Sequence, residues 1–97
     1  MNMQAMLKQA QALQKDMLKA KAEVDNSDFV SENAMIKVTM KGTKEVSSVE
    51  IKVDQLEKDD MEMLEEMIKS AINDANNKID DATEKKMGKF GNIPGLF

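Results

Sequence analysis

The sequence contains no cysteine and no histidine. Without cysteine there is no disulfide, no thiolate nucleophile and no thiolate-held zinc. Without histidine the commonest general base and the commonest metal ligand are missing, so a Ser–His or Cys–His catalytic centre is excluded. Arginine is absent too: all 14 basic residues are lysine. Bidentate reading of guanine, which suits a guanidinium fork, is therefore disfavoured. There is no Trp or Tyr, and the 3% aromatic content is three Phe, so a core has to come from aliphatic side chains and the ten Met. Glycine and proline are scarce: Gly42 is the first glycine and Pro94 the only proline. No apolar run approaches the length of a membrane span. Met1 to Val24 carries a lysine every few residues and lacks the apolar stretch of a signal peptide. The expected location is the cytoplasm, with no membrane partner.

What is present suits one small soluble domain over residues 1–97, with 41% hydrophobic and 33% charged residues. A chain this short buries a modest share of its surface, which favours association with a second copy. The net charge of −4 is unevenly spread. Residues 1–26 carry +1, residues 27–53 balance, residues 54–84 carry −8 and residues 85–97 carry +3.

Met6, Ala10, Leu13, Met17, Ala20 and Val24 are spaced 4, 3, 4, 3, 4, a heptad-like stripe. With Lys and Gln at most other positions, this predicts a helix over 2–25. The chain then alternates: Ile36, Val38 and Met40 on one side, Lys37, Thr39 and Lys41 on the other, and Val49, Ile51 and Val53 against Glu50 and Lys52. Period two predicts strands with one buried face. Lys41-Gly42-Thr43-Lys44 supplies a hairpin turn, and Phe29-Val30-Ser31 adds a short strand, so the strands fall within 28–53. A second helix is predicted over 59–87, opened by a capping-box-like Asp59…Glu62 and closed at Gly88. Its apolar stripe is Met61, Leu64, Ile68, Ala71, Ala75, Ile79 and Ala82. Residues 88–97 read as an irregular tail. The fold class is α+β, in the order α-β-β-β-α. Two helices of about 35 and 40 Å must project from a chain whose compact form has a radius of gyration of about 12–13 Å.

Four features could carry function. The acids Asp54, Glu57, Asp59, Asp60, Glu62, Glu65 and Glu66 read as a solvated helix start rather than a metal site, since a calcium loop needs a central glycine. The Met series reads as core or dimer packing, with Met3 and Met6 as the pair placed to grip something. Lys8, Lys15 and Lys19 share one side of the first helix, and Lys85, Lys86 and Lys89 end the second. In an antiparallel pair these ends converge near Lys8 as a phosphate-contacting tip. The apolar tail, Ile93 to Phe97, could seat a protein partner. No glycine loop for nucleotides and no hydrolase elbow exists, so neither an enzyme nor a cofactor is expected, and no metal.

Over its full length the chain resembles the YbaB/EbfC family of bacterial nucleoid-associated proteins. The resemblance is carried by Met6-Leu7-Lys8-Gln9-Ala10-Gln11, Ile36-Lys37-Val38-Thr39 with Gly42, and Val46-Ser47-Ser48-Val49-Glu50-Ile51. It continues in Asp59-Asp60-Met61-Glu62-Met63-Leu64-Glu65-Glu66-Met67-Ile68, Ala71-Ile72-Asn73-Asp74-Ala75, Lys86-Met87-Gly88 and Pro94-Gly95-Leu96-Phe97. It implies a tweezer-like homodimer whose sheets form the dimer core, here Ile36, Val38, Met40, Val49, Ile51 and Val53. It also implies nucleoid-located, non-catalytic binding of double-stranded DNA with little sequence preference, through helical arms. Charge placement then assigns DNA contact to Lys8, Lys15, Lys19, Lys85, Lys86 and Lys89. Two departures stand out: Val30 to Met35 lacks the glycines many relatives have there, and Glu57-Lys58-Asp59-Asp60 lacks their proline. The alternative is a prefoldin-like chaperone or an adaptor module, since two long helices joined through a hairpin describe such subunits as well.

Overall fold

A computed structural model describes residues 2–90, apart from the Lys89 side chain. The tail expected to seat a partner, Ile93–Phe97, lies outside the described residues. The elements run α1 (Met3–Asp25), β1 (Asp28–Glu32), β2 (Ile36–Lys41), β3 (Val46–Ile51), a 3-10 turn (Lys58–Asp60), α2 (Met61–Met87) and a second 3-10 turn (Gly88–Phe90). The architecture is the α-β-β-β-α, α+β arrangement that the periodicities predict.

Asn2 caps α1, its side-chain oxygen accepting from the Gln4 amide at 2.9 Å. The three strands form one antiparallel sheet in the order β1-β2-β3. The hairpin turn closes through Lys44 N donating to Lys41 O at 2.8 Å. Lys44 sits at φ 75°, a left-handed conformation usually given to glycine. Gly42 answers a different need, because a Cβ there would overlap the Val24 carbonyl at the end of α1. A bulge leaves Ser47 unpaired, with Met40 opposite Val46 and Val38 opposite Val49. Val46, Val49 and Ile51 therefore all face the same side as the buried β2 residues.

The core lies between that side of the sheet and α2: Met35, Ile36, Val38 and Met40 against Ala71, Ala75 and Ile79. The two alanines let α2 approach closely. Four findings add to the sequence reading. Ile36, Val38 and Met40, assigned to a dimer core, are 0–2% exposed and covered by α2 of their own chain. Val53 is half-buried against the same core, and Val49 and Ile51, on the outer strand, remain exposed. The acidic start of α2 opens one step earlier, as a 3-10 turn in which Glu57 N donates to Asp60 Oδ2 at 3.0 Å. α2 ends at Met87 with Gly88 as its C-cap, but at φ −58°, ψ −35° that cap is right-handed and leads into the 3-10 turn, which carries Phe90 into a buried site.

Asn33 shapes the β1–β2 loop. Its Oδ1 accepts from the amides of Met35 and Ile36 at 3.1 and 3.0 Å, and its Nδ2 donates to Met67 O of α2 at 3.0 Å. The loop is thus turned and tied to α2 by a single side chain. The molecule measures 71 × 19 × 15 Å with a radius of gyration of 19.5 Å, far from spherical for its length, because α1 projects beyond the body.

Candidate nucleic-acid interface

Only the last turns of α1 are held by the rest of the chain. Ala20 and Val24 are buried, and Ala20 packs with Met87 and Phe90, with Met17 against them. N-terminal to Met17 every described residue of α1 is exposed. The stripe of Met6, Ala10 and Leu13 stands bare on one side of this arm. Lys8, Lys15 and Lys19, spaced 7 and 4, stand on the opposite side. Gln4 and Gln11 share that side, and the arm carries no acid before Asp16. Lys8, Lys15 and Lys19 make no ion pair or hydrogen bond among the described residues.

The second lysine group behaves differently. α2 runs antiparallel to α1, but its first turns are used on the sheet. Its end therefore meets the last third of α1 and not the start. Lys86 Nζ pairs with Glu23 Oε2 at 3.0 Å and borders a shallow pocket with Asp16, Lys19, Ala20 and Glu23. Lys86 is thus held beside Glu23 and away from Lys8. Lys8 lies about 16 Å along the helix from Lys19. Lys85 is exposed and makes no ion pair among the described residues, and the Lys89 side chain falls outside them.

Most other lysines are engaged in the body. Lys21 pairs with Asp25, Lys41 with Asp28, Lys44 with Asp80, Lys52 with Glu32, Lys69 with Glu66 and Lys78 with Asp74. Nothing in the sequence signals the pairs that join distant segments, such as Lys86 with Glu23. Two carboxyls are held below their usual range. For Glu32 the cause is the hydrogen bond and charge of Lys52. For Asp74 it is the hydroxyl of Ser31, which donates at 2.7 Å, followed by Lys78. Both bind elements of the body together. Among the described residues no three carboxylates gather at a metal-sized site, and no helix is long and apolar enough to cross a membrane.

The arrangement is an arm whose residues 3–15 carry lysines and no acid, with Asp16 and Glu23 entering beside Lys19 towards its base, set on an acidic body. An anionic polymer laid along the lysine side meets spaced, free ammonium groups. A model of the YbaB/EbfC DNA-binding family matches residues 1–93 of the chain. A nucleoid-associated protein of Streptococcus sanguinis is 45% identical to the chain over 97 residues, covering 97% of the chain and 98% of the relative. One of Lactococcus lactis is 42% identical over 92 residues, covering 93% of each. One of Ligilactobacillus salivarius is 41% identical over 99 residues, covering 99% of the chain and 95% of the relative.

Proposed function

The chain belongs to the YbaB/EbfC DNA-binding family, and from that membership we propose that it is a nucleoid-associated protein that holds duplex DNA through the lysines of its projecting arm. The observation that carries this reading is the side of α1 bearing Lys8, Lys15 and Lys19, which is free of acids over residues 3–15. Lys85 adds to it. Lys86 adds less, because it must exchange Glu23 for a phosphate, and Lys89 is placed with them by sequence.

The mechanism is electrostatic. Ammonium groups neutralise phosphates and release condensed counterions. With no arginine, base edges go largely unread, and any sequence preference comes from DNA shape and flexibility. The acids of α2 turn DNA away from the body by like-charge repulsion. The protein works as a homodimer in the bacterial nucleoid, so that two arms grip one duplex. The exposed margin of β3, with Val49 and Ile51, offers apolar surface and a strand edge for the second copy.

Fluorescence anisotropy of a mixed-sequence duplex, titrated from low to physiological salt, tests this. Changing Lys8, Lys15 and Lys19 together to Gln lowers the affinity and reduces the salt slope by about 3, close to 0.9 per lost phosphate contact. Lys86→Gln has a smaller effect than any one of the three. An unchanged slope in the triple variant overturns the assignment of the arm. Absence of binding by the unaltered protein at low salt overturns DNA binding itself.

A further inference from the structure

The sheet order is β1-β2-β3, so among the described residues the far edge of β3 has no strand beside it. Lys52 N donates to Met35 O at 2.7 Å, and Ile36 stands opposite Ile51. Backbone groups alternate in direction along an antiparallel strand. Residues 48, 50 and 52 therefore turn their N–H and C=O towards β2, and Val49, Ile51 and Val53 turn theirs outward. The side chains of these three lie on the face that bears α2, and those of Glu50 and Lys52 lie on the other. Val49 and Ile51 remain 48% and 49% exposed. An open edge with apolar side chains is a template for another strand.

We propose that two copies join edge to edge along β3 in one register, with Ile51 on the two-fold axis, Val49 opposite the partner's Val53 and Glu50 opposite the partner's Lys52. This rests on the homodimer proposed above and adds what selects its alignment. Hydrogen bonds across the joint need outward backbone groups on both strands. The axis must therefore pass through a residue, since an axis between two residues sets an outward group against an inward one. Centred on Glu50 or on Lys52, the strands place like charges directly opposite each other, which is destabilising. Centred on Val49, they set Lys52 against Val46 and Ile51 against Ser47, the residue that the bulge leaves out of the ladder. Centred on Ile51, each apolar residue over 49–53 meets an apolar one, and each acid meets a base, twice by symmetry.

The two charges are available for this. Glu50 makes no ion pair among the described residues. Lys52 places two of its ammonium's three donors, on Glu32 at 2.9 Å and on Asn33 O at 2.8 Å, and keeps the third. The two three-stranded sheets become one continuous antiparallel sheet with both α2 helices on the same face. Both open edges are closed at once, and the arms are left untouched.

The absence of native cysteine makes the test direct. Residues opposite each other without mutual hydrogen bonds have Cα atoms about 4.5 Å apart, within reach of a disulfide, and Glu50 and the partner's Lys52 are such a pair. Full-length Glu50→Cys and Lys52→Cys chains, one of them isotope-labelled, are oxidised separately and after co-refolding. The expected result is a mixed disulfide as the main product of the combined sample and little linkage of either chain alone. The mixed pair keeps one Glu50–Lys52 contact, so its charges still favour the register. Self-linking of either chain as fast as the mixed pair overturns the register. In the unaltered protein, a sample with half its chains labelled gives a nuclear Overhauser contact between the Hα of Glu50 and that of the partner's Lys52. Its absence from a protein that sediments as a dimer overturns the proposal and leaves the homodimer standing. Sedimentation of the unaltered protein as a monomer overturns both.

Discussion

α1 and α2 are helices of similar length, 23 and 27 residues, each with an apolar stripe at helical spacing, and they are used in opposite ways. The stripe of α2 is covered by the sheet of its own chain along Ala71, Ala75 and Ile79. That of α1 is covered only at Met17, Ala20 and Val24. The charges divide likewise. α2 has seven acids against four lysines, and Asp74, Lys78 and Asp80 bind it to β1 and the hairpin, whereas residues 3–15 of α1 have two lysines and no acid. Periodicity shows which side of a helix needs cover; it does not say what supplies it. A helix anchored along its whole length builds a body, and one anchored at one end makes an arm.

The sharpest way to break this comparison is to truncate one large apolar residue on each helix. Ile79→Ala removes a 1%-exposed side chain from the core and costs about 2–5 kcal/mol. Leu18→Ala, on the exposed flank of α1, stays within about 0.5 kcal/mol. Urea unfolding of both variants reads the difference. Equal losses would mean that α1 is packed as fully as α2.

Next in size is the joint between arm and body. Gly42→Ala drives a methyl into the Val24 carbonyl, so either the hairpin or the end of α1 must shift. The expected cost is about 1–3 kcal/mol. Hydrogen exchange should show the loss concentrated in residues 17–25 and the hairpin, with the first turns of α2 unchanged. Uniform loss across α2 would show that the arm and the body unfold as one unit.

The joint also shows where sequence reasoning stops. The two stripes, the period-two strands and the turn at Gly42 were legible because each is a local pattern with one geometric solution. The site was legible in part: Lys8, Lys15 and Lys19 share a helix side by arithmetic alone. What was hidden depends on offsets between distant elements. How far back α2 reaches along α1 decides that Lys86 meets Glu23 rather than approaching Lys8. Ile36, Val38 and Met40 read as strand residues with a buried face, but only the path of α2 shows that their own chain covers them. The bulge at Ser47, which puts the exposed Val46 on the same side of the sheet as Met40, has no composition signal.

A smaller effect tests how α2 is tied to the sheet. Asn33→Ala removes two bonds that turn the β1–β2 loop and one to Met67 O. The cost is about 1–2 kcal/mol, because water reaches part of this half-buried site. Asn33→Asp keeps the acceptor and loses the donor, and so recovers part of the loss. If it recovers all of it, the tie to α2 carries no weight and the turn alone accounts for Asn33.

The smallest effect concerns Asp74, where the charge of α2 meets β1. The buried Ser31 hydroxyl donates to its carboxylate, and Lys78 stands 3.4 Å away. Together they hold the carboxyl below its ordinary value of 3.8, with the Ser31 hydrogen bond the largest single cause. A depressed carboxyl stabilises the fold fully above its unfolded value and loses that contribution as pH falls through the folded one. Stability from this group is therefore flat between neutral pH and about 5 and declines only in stronger acid. Asp74→Asn keeps an acceptor for Ser31 and makes the acid limb shallower. In an NMR titration of the Asp74 carboxyl, Ser31→Ala moves the midpoint up towards the ordinary value further than Lys78→Gln does. The reverse order would mean that the exposed lysine, and not the buried hydroxyl, fixes the charge on this side of α2. The body would then be held to its acidic helix here by a solvent-screened pair, which contributes little to stability.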